Sequence, residues 1–268
     1  MGQLDGRVAI VTGAGRLRGI GRATAVALAA MGADVVVTGT GRDPATFPED
    51  EKQIGWHDIE STGAQVRAHS RRAMTWVGDV SRAAEAQSLI DLTLQTFGRI
   101  DVLVNNAAYP RGNDRVPVPD LDEAIWRKVL DIKLTGAFLL CKRIVPIMVQ
   151  QNWGRIINLS SVAGKRGVPN TAAYCTANFG IQGFTQALAM EVARHGITVN
   201  AVCPWTIDTA RMDVLGREER WQREVERIPV GRAASDEEVA GLIALLCSPA
   251  AAYMTGQSIN IDGGLAMW

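Results

Sequence analysis

Val8-Ala9-Ile10-Val11-Thr12-Gly13-Ala14-Gly15-Arg16-Leu17-Arg18-Gly19-Ile20-Gly21 passes from a short apolar run, through four glycines, into the alanine-rich stretch Gly21–Met31. A strand that ends in glycines and opens a helix lets backbone N–H groups approach a pyrophosphate, with the helix N-terminus behind them. A strict GxGxxG starting at Gly13 fails, because Arg18 holds the last place and Gly19 follows one residue late. The position of the turn, after a first strand and before a helix, is what gives it weight.

Working outward, short apolar runs alternate with longer amphipathic ones. Val8–Val11, Asp34–Thr38, Arg72–Val77, Asp101–Val104, Arg155–Leu159, Ile197–Ala201 and Ser258–Ile261 read as strands. Several are continuous β-branched runs, as expected of strands covered on both faces. Gly21–Met31, Glu49–Ala68, Arg82–Phe97, Leu121–Gln150, Ala172–His195 and Asp236–Cys247 read as helices. This alternation predicts an α/β fold, a Rossmann-like doubly wound parallel sheet in three α/β/α layers. No repeat or linker interrupts it, so 1–268 reads as a single dinucleotide-binding and catalytic domain. Gly39–Asp50 reads as an extended loop. Pro204–Ser235 is long and polar, and 205–235 is expected to form a substrate lid.

Composition narrows the partners. Lys+Arg (28) equals Asp+Glu (28), which argues against nucleic acid or an anionic membrane as the main partner. Cys141, Cys175, Cys203 and Cys247 form no CxxC and lie far from any histidine at zinc spacing, so reduced thiols and no metal are expected. No signal sequence or membrane-length apolar run is read, which predicts a cytoplasmic protein.

The end of the second strand bears on the cofactor. A carboxylate there suits ribose hydroxyls, and arginine suits a 2′-phosphate. The chain reads Thr38-Gly39-Thr40-Gly41-Arg42-Asp43, and Arg16, Arg18 and Arg42 can converge. NADP is therefore expected, with NAD the alternative, since Asp43 can serve a ribose.

With Asp79 after the third strand, Asn105-Asn106-Ala107-Ala108 after the fourth, Ser161, Tyr174 and the closing Ile261-Asp262-Gly263-Gly264, the chain resembles the short-chain dehydrogenase/reductase family over essentially its whole length. It looks most like the 3-oxoacyl-carrier-protein-reductase-like branch. The resemblance implies a nicotinamide cofactor held by Gly13, Gly15, Arg18, Gly19, Ile20 and Gly21, by Thr40 and Arg42, by Asp79 and Val80, by Asn105 and Ala107, and by Pro204. Asp79 would meet the adenine, and Asn105 would help hold the central strands. It also implies a homotetramer or homodimer packed through the two long helices.

Four departures stand out. Two extra residues lie in the glycine turn. The family's YxxxK is Tyr174-Cys175-Thr176-Ala177-Asn178. The family's asparagine on the helix after the fourth strand aligns with Lys133, and its Pro-Gly after the sixth strand is Pro204-Trp205. An isolated phenol has a pKa of about 10, too high for ready proton exchange near neutrality, and a nearby cation favours the phenolate. Asn178 cannot supply that charge. Lys133 is expected to do so in a reciprocal exchange, with Asn178 bonding a ribose hydroxyl or a relay water. Lys165, behind Ser161 on a glycine-flanked loop, is the weaker substitute.

The expected reaction is hydride transfer between nicotinamide and a ketone/secondary alcohol pair. Ser161 would hold the oxygen and Tyr174 exchange the proton. Tyr109, Trp205, Ile207, Met212 and Trp221 predict an apolar pocket for a hydrophobic or cyclic carbonyl. Trp205 can stack on the ring, shape the pocket, block the cofactor or point outward. That keeps a non-redox lyase or dehalogenase-like enzyme, and a catalytically silent dinucleotide-binding protein, as alternatives. A Ser-His-Asp hydrolase is disfavoured because His57, His69 and His195 lie away from the expected cleft.

Overall fold

Every residue of β1 (Val8–Val11) is buried, because alternate side chains enter two different cores. Ala9 and Val11 join an apolar cluster with Ala25 and Leu28. Val8 and Ile10 join a second cluster with Leu89, Ile90, Leu140 and Ile144. A strand with two apolar faces needs a helical layer on each side, and that requirement sets the architecture. The computed structural model describes residues 2–216 and 219–268.

The other strands are β2 (Asp34–Gly39), β3 (Ala73–Val77), β4 (Val102–Asn105), β5 (Gly154–Leu159), β6 (Ile197–Pro204) and β7 (Ser258–Ile261). They form one sheet in the order β3-β2-β1-β4-β5-β6-β7. Every neighbouring pair is parallel, with Ile10 level with Val36 on one side and Leu103 on the other. The order reverses between β1 and β4. A crevice opens there beyond the carboxyl ends of the strands, where open α/β sheets bind ligands.

The helices are α1 (Ile20–Ala30), α2 (Glu49–Gln53), α3 (Asp58–Ala68), α4 (Ala83–Phe97), α5 (Glu123–Leu130), α6 (Gly136–Gln151), α7 (Ala172–Val192), α8 (Glu219–Glu226) and α9 (Asp236–Cys247). α1 and α9 cover one face of the sheet, and α4, α6 and α7 the other. Among the described residues no helix is long and apolar enough to cross a membrane.

Two of the expected helices differ from their sequence reading. The stretch 49–68 is two helices, because Gly55 takes a φ of +63° and turns Trp56 inward. The Trp56 indole N–H then donates to the Gly15 carbonyl at 2.6 Å. The stretch 121–150 starts at Glu123, where Asp122 caps the first turn. It also carries a π-helical turn at Asp131–Thr135, between α5 and α6. π turns widen a helix locally and recur at functional sites. Lys133 sits in this one.

Candidate active site

The crevice has two ends. At the glycine turn, Gly13 stands at φ +68°, and a Cβ there would come within 3.0 Å of the Ala107 backbone. Thr12 and Asn106 lock the turn to β4. The Thr12 hydroxyl accepts the N–H of Asn106 and of Ala107, and Asn106 Nδ2 donates to the Thr12 and Gly13 carbonyls. α1 begins with no side-chain cap and no acidic residue in its first turn. Its first N–H groups have no partner within the helix, so they suit a phosphate. The tight turn and uncapped helix fit a dinucleotide. Nearby, the Gly19 N–H donates to Asp236.

Arg18 and Arg42 at this end are committed to carboxylates. Arg18 reaches Asp50 at 2.6 Å and Asp213 at 2.5 Å, with Asp208 at 3.4 Å. Bonding to Asp213 holds its guanidinium above the usual range. Arg42 pairs with Glu51 at 2.8 Å and Asp58 at 2.9 Å, and also donates to the Gly15 carbonyl. Arg16 is held below the usual range, chiefly by burial and then by Arg42. Thr40 is exposed at the tip of β2. Asp79 accepts from the Ser81 N–H and hydroxyl at the end of β3, and Val80 is buried in the apolar core. Asn105 Nδ2 donates to Asn158 Oδ1 at 2.8 Å, and Asn158 donates to Thr185 on α7. This chain ties β4, β5 and α7 together.

The other end is a cavity of about 470 Å³ whose wall includes Ile20, Asn106, Ser161, Tyr174 and Lys133. Ser161 Oγ is buried, donates to the Pro204 carbonyl at 3.3 Å and accepts the Ala163 N–H. Ser160 also borders the cavity, but its hydroxyl donates to the Asn178 carbonyl. Lys133 is buried, and its ammonium donates to the Leu159 carbonyl at 2.7 Å. Burial, and secondarily Arg211, push its pKa down to about 7.

Asn178 is fully buried behind the wall. Its Nδ2 donates to the Tyr174 carbonyl at 2.8 Å, while its Oδ1 is buried without a hydrogen-bond partner. The amide folds back on its own helix, so it stands beneath Tyr174 rather than against the cavity. Lys165 is committed elsewhere, donating to the Ser258 and Trp268 carbonyls.

Around Tyr174 lie residues that sequence reasoning passed over. The Arg115 guanidinium carbon is 3.8 Å from the centre of the Tyr174 ring, and that of Arg211 is 5.6 Å away. Arg211 also donates to the Tyr109 carbonyl. The expected apolar pocket is therefore corrected. Trp205, Ile207 and Met212 do line the cavity, but with Arg111, Arg115, Arg166, Arg211 and Arg227 among them. Tyr109 packs in a small apolar cluster with Leu121, Ile125 and Trp126, and Trp221 sits half-buried on α8. Neither is in the wall. Trp205 does not point outward, and Arg166 lies 5.0 Å from its ring.

Known proteins match this arrangement along its length. A family model described as enoyl-(acyl carrier protein) reductase matches residues 13–266. The chain belongs to the short-chain dehydrogenase/reductase family. It is 42% identical to a 3-oxoacyl-[acyl-carrier-protein] reductase of Synechocystis sp., covering 100% of both chains. It is 35% identical to the 3-oxoacyl-[acyl-carrier-protein] reductase FabG of Escherichia coli, covering 98% of each. Among solved structures, levodione reductase superposes with a TM-score of 0.85 at 32% identity, covering 97% of this chain and 98% of that one. As a short-chain dehydrogenase/reductase of the FabG-like branch, the chain is an NAD(P)-dependent oxidoreductase that interconverts a ketone and a secondary alcohol. The lyase and silent alternatives are not favoured.

Proposed function

We propose that Tyr174 exchanges the proton with the substrate oxygen, that Ser161 holds that oxygen, and that Lys133 replenishes the proton from behind. When bound, the nicotinamide supplies or accepts the hydride. The observation that carries this reading is the Lys133 amine: buried, in the same cavity wall as Tyr174 and Ser161, and pushed down to about 7. A group that titrates near the working pH serves proton exchange best. Its aim is set by the Leu159 carbonyl. Arg115 and Arg211 add permanent charge beside the Tyr174 ring, which favours negative charge developing on the reacting oxygens. Asn178 acts as a positioning residue, holding the α7 turn that carries Tyr174.

Tyr174→Phe is expected to lower kcat about 10²- to 10⁴-fold without loss of folding, the usual worth of a positioned acid–base group. Lys133→Ala should lower it less and abolish an inflection near pH 7. With Lys133 intact, carbonyl reduction falls as pH rises through that region and alcohol oxidation rises. An unchanged pH profile in Lys133→Ala rules out the proton role.

For the cofactor we infer NAD, against the NADP expected from Arg16, Arg18 and Arg42. Three arginines meet five carboxylates here: Asp50, Glu51, Asp58, Asp208 and Asp213. A 2′-phosphate would enter a region of net negative charge. NADPH binding tenfold tighter than NADH overturns this assignment.

Residues 205–235, of which 217 and 218 lie outside the described residues, serve as the lid, with Glu224 of α8 and Arg227 in the cavity wall. Half-exposed Phe138 on α6 and Phe179 on α7, with the more exposed Met190, support assembly into a homodimer or homotetramer through those helices. The four free cysteines suit a reducing, cytoplasmic setting.

A further inference from the structure

The arginines at the Tyr174 end outnumber their carboxylates. Five arginines and Lys133 line the cavity, and Glu224 is the one carboxylate among its described lining residues. Asp114 lies behind, where its Oδ2 is 3.3 Å from Arg115 Nε. The Arg111 guanidinium donates to the Met212 sulfur at 3.6 Å, a weak acceptor. Arg211 donates to a neutral carbonyl, that of Tyr109. The Trp205 indole nitrogen, in the same wall, is buried without a hydrogen-bond partner. Concentrating like charge in a partly dehydrated cleft is costly unless an opposite charge enters.

The mutual strain on these groups is visible. Burial, then Arg115 and Arg211, hold Arg111 below the usual guanidinium range, while Tyr174 and Glu224 pull the other way. Burial holds Arg211 down as well, with Arg115 adding to it and Tyr174 and Asp114 opposing. An entering oxyanion would relieve these groups together, and guanidinium groups grip oxyanions through paired, charge-assisted hydrogen bonds.

We propose that the cavity is a site for an anionic substrate: a ketone or secondary alcohol that also carries a carboxylate or phosphate, held by Arg111, Arg115 and Arg211. This rests on the oxidoreductase reading of the same cavity and adds the substrate class to it. A cavity of about 470 Å³ takes a small molecule of this kind with Trp205, Ile207 and Met212 against its carbon skeleton. The oxyanion sets the substrate's orientation, so that its other end meets Ser161 and Tyr174.

The test is a calorimetric titration of the protein saturated with NADH, so that the glycine turn is occupied and cannot take the probe. Succinate and inorganic phosphate represent the two sources of charge, and dimethyl succinate is the neutral control. At least one anion should bind ten times or more tightly than the diester. Arg111→Gln and Arg115→Gln should each weaken that binding about tenfold. Arg115→Lys should restore part of it, and NADH affinity should stay within about twofold. The preferred anion decides between carboxylate and phosphate.

Binding of both succinate and phosphate no tighter than that of the diester overturns the proposal, as does anion binding that survives in the Arg111→Gln/Arg115→Gln double variant. So does an NADH affinity that falls in parallel with anion affinity, because the arginines would then belong to the cofactor. Turnover separates this from failure of the underlying reading. An enzyme that reduces only neutral ketones sinks the anion site alone. An enzyme that binds anions at these arginines but reduces no ketone, charged or neutral, sinks the oxidoreductase chemistry and leaves the anion site standing.

Discussion

The two ends of the crevice use arginine in opposite ways. At the glycine turn, Arg18 and Arg42 are each bound by two or more carboxylates, and Glu51, which holds Arg42, is itself fully buried. At the tyrosine, Arg111 and Arg211 meet a thioether and a carbonyl, while Arg115 leans on a ring and has a single carboxylate, Asp114, behind it. A paired guanidinium is part of the frame. One left with neutral partners at a cavity wall is available to a ligand. The difference teaches that charge type does not reveal role, whereas charge balance in space does. Each of the following measurements would widen that contrast or erase it.

The largest effect is expected at Lys133, a buried cation in the wall of the tyrosine end. Its pKa falls from the ordinary lysine value to about 7 in the folded chain. Between those values the unfolded chain binds the extra proton, so stability rises with pH across that window. Below about 7 both states are charged and the full cost of burying the ammonium is present. At about 1.4 kcal/mol per pH unit, raising the pH from about 7 to about 9 should stabilise the protein by roughly 2 to 3 kcal/mol through this group. Lys133→Met should remove that slope and be most stabilising near pH 6. Urea melts of both proteins across the range provide the check. Parallel curves would mean that the ammonium is hydrated in solution and that no proton store exists.

The next effect tests the paired end. Glu51 is fully buried and holds both the Arg42 guanidinium at 2.8 Å and the Leu17 N–H at 2.9 Å. Glu51→Gln keeps the shape but removes the charge. Breaking a buried pair leaves its partner uncompensated, at a cost of about 3 to 5 kcal/mol. Arg42 retains Asp58 and some solvent contact, so about 1 to 3 kcal/mol is the expected loss in a denaturant melt. A change below about 0.5 kcal/mol would show that these pairs are not structural, and the contrast between the ends would lose one side.

Much of the frame is legible in the sequence. β-branched runs such as Ile10-Val11 and Val35-Val36-Val37 can satisfy their two apolar faces only inside a parallel sheet. The glycine turn lies where its spacing places it, and Ser161, Tyr174 and Lys133 do share a cavity wall. The remainder was hidden for physical reasons. Arg111, Arg115, Arg166, Arg211 and Arg227 are scattered along the chain, and each alone reads as a solvated charge; only the fold brings them together. The position of Asn178 one turn beyond Tyr174 cannot say that a short amide closes on its own helix carbonyl. The break at Gly55 is hidden because a lone glycine is tolerated inside a helical pattern, and what decides it is the indole bond from Trp56 to the glycine turn. The convergence of Arg16, Arg18 and Arg42 was foreseeable. Their neutralisation by Asp50, Glu51, Asp58 and Asp213 was not, because those carboxylates reach them from α2, from the first turn of α3 and from the distant segment after β6.

The smallest stability effect is the sharpest control, because its expected value is near zero. Arg111 is half-buried, it donates to a sulfur, and burial beside Arg115 and Arg211 disfavours its charge. Replacing it with glutamine removes a repelled cation and keeps a polar group able to meet water. Surface substitutions away from a structural feature usually change stability by less than about 0.5 kcal/mol, and relief of repulsion can make the change favourable. Arg111→Gln should therefore melt within that margin of the parent, or slightly above it, under the conditions in which Glu51→Gln is clearly weakened. A guanidinium that contributes nothing to the fold yet stands in the substrate cavity is retained for what enters the cavity. If Arg111→Gln instead loses as much stability as Glu51→Gln, both ends of the crevice are framework, and the distinction between them disappears.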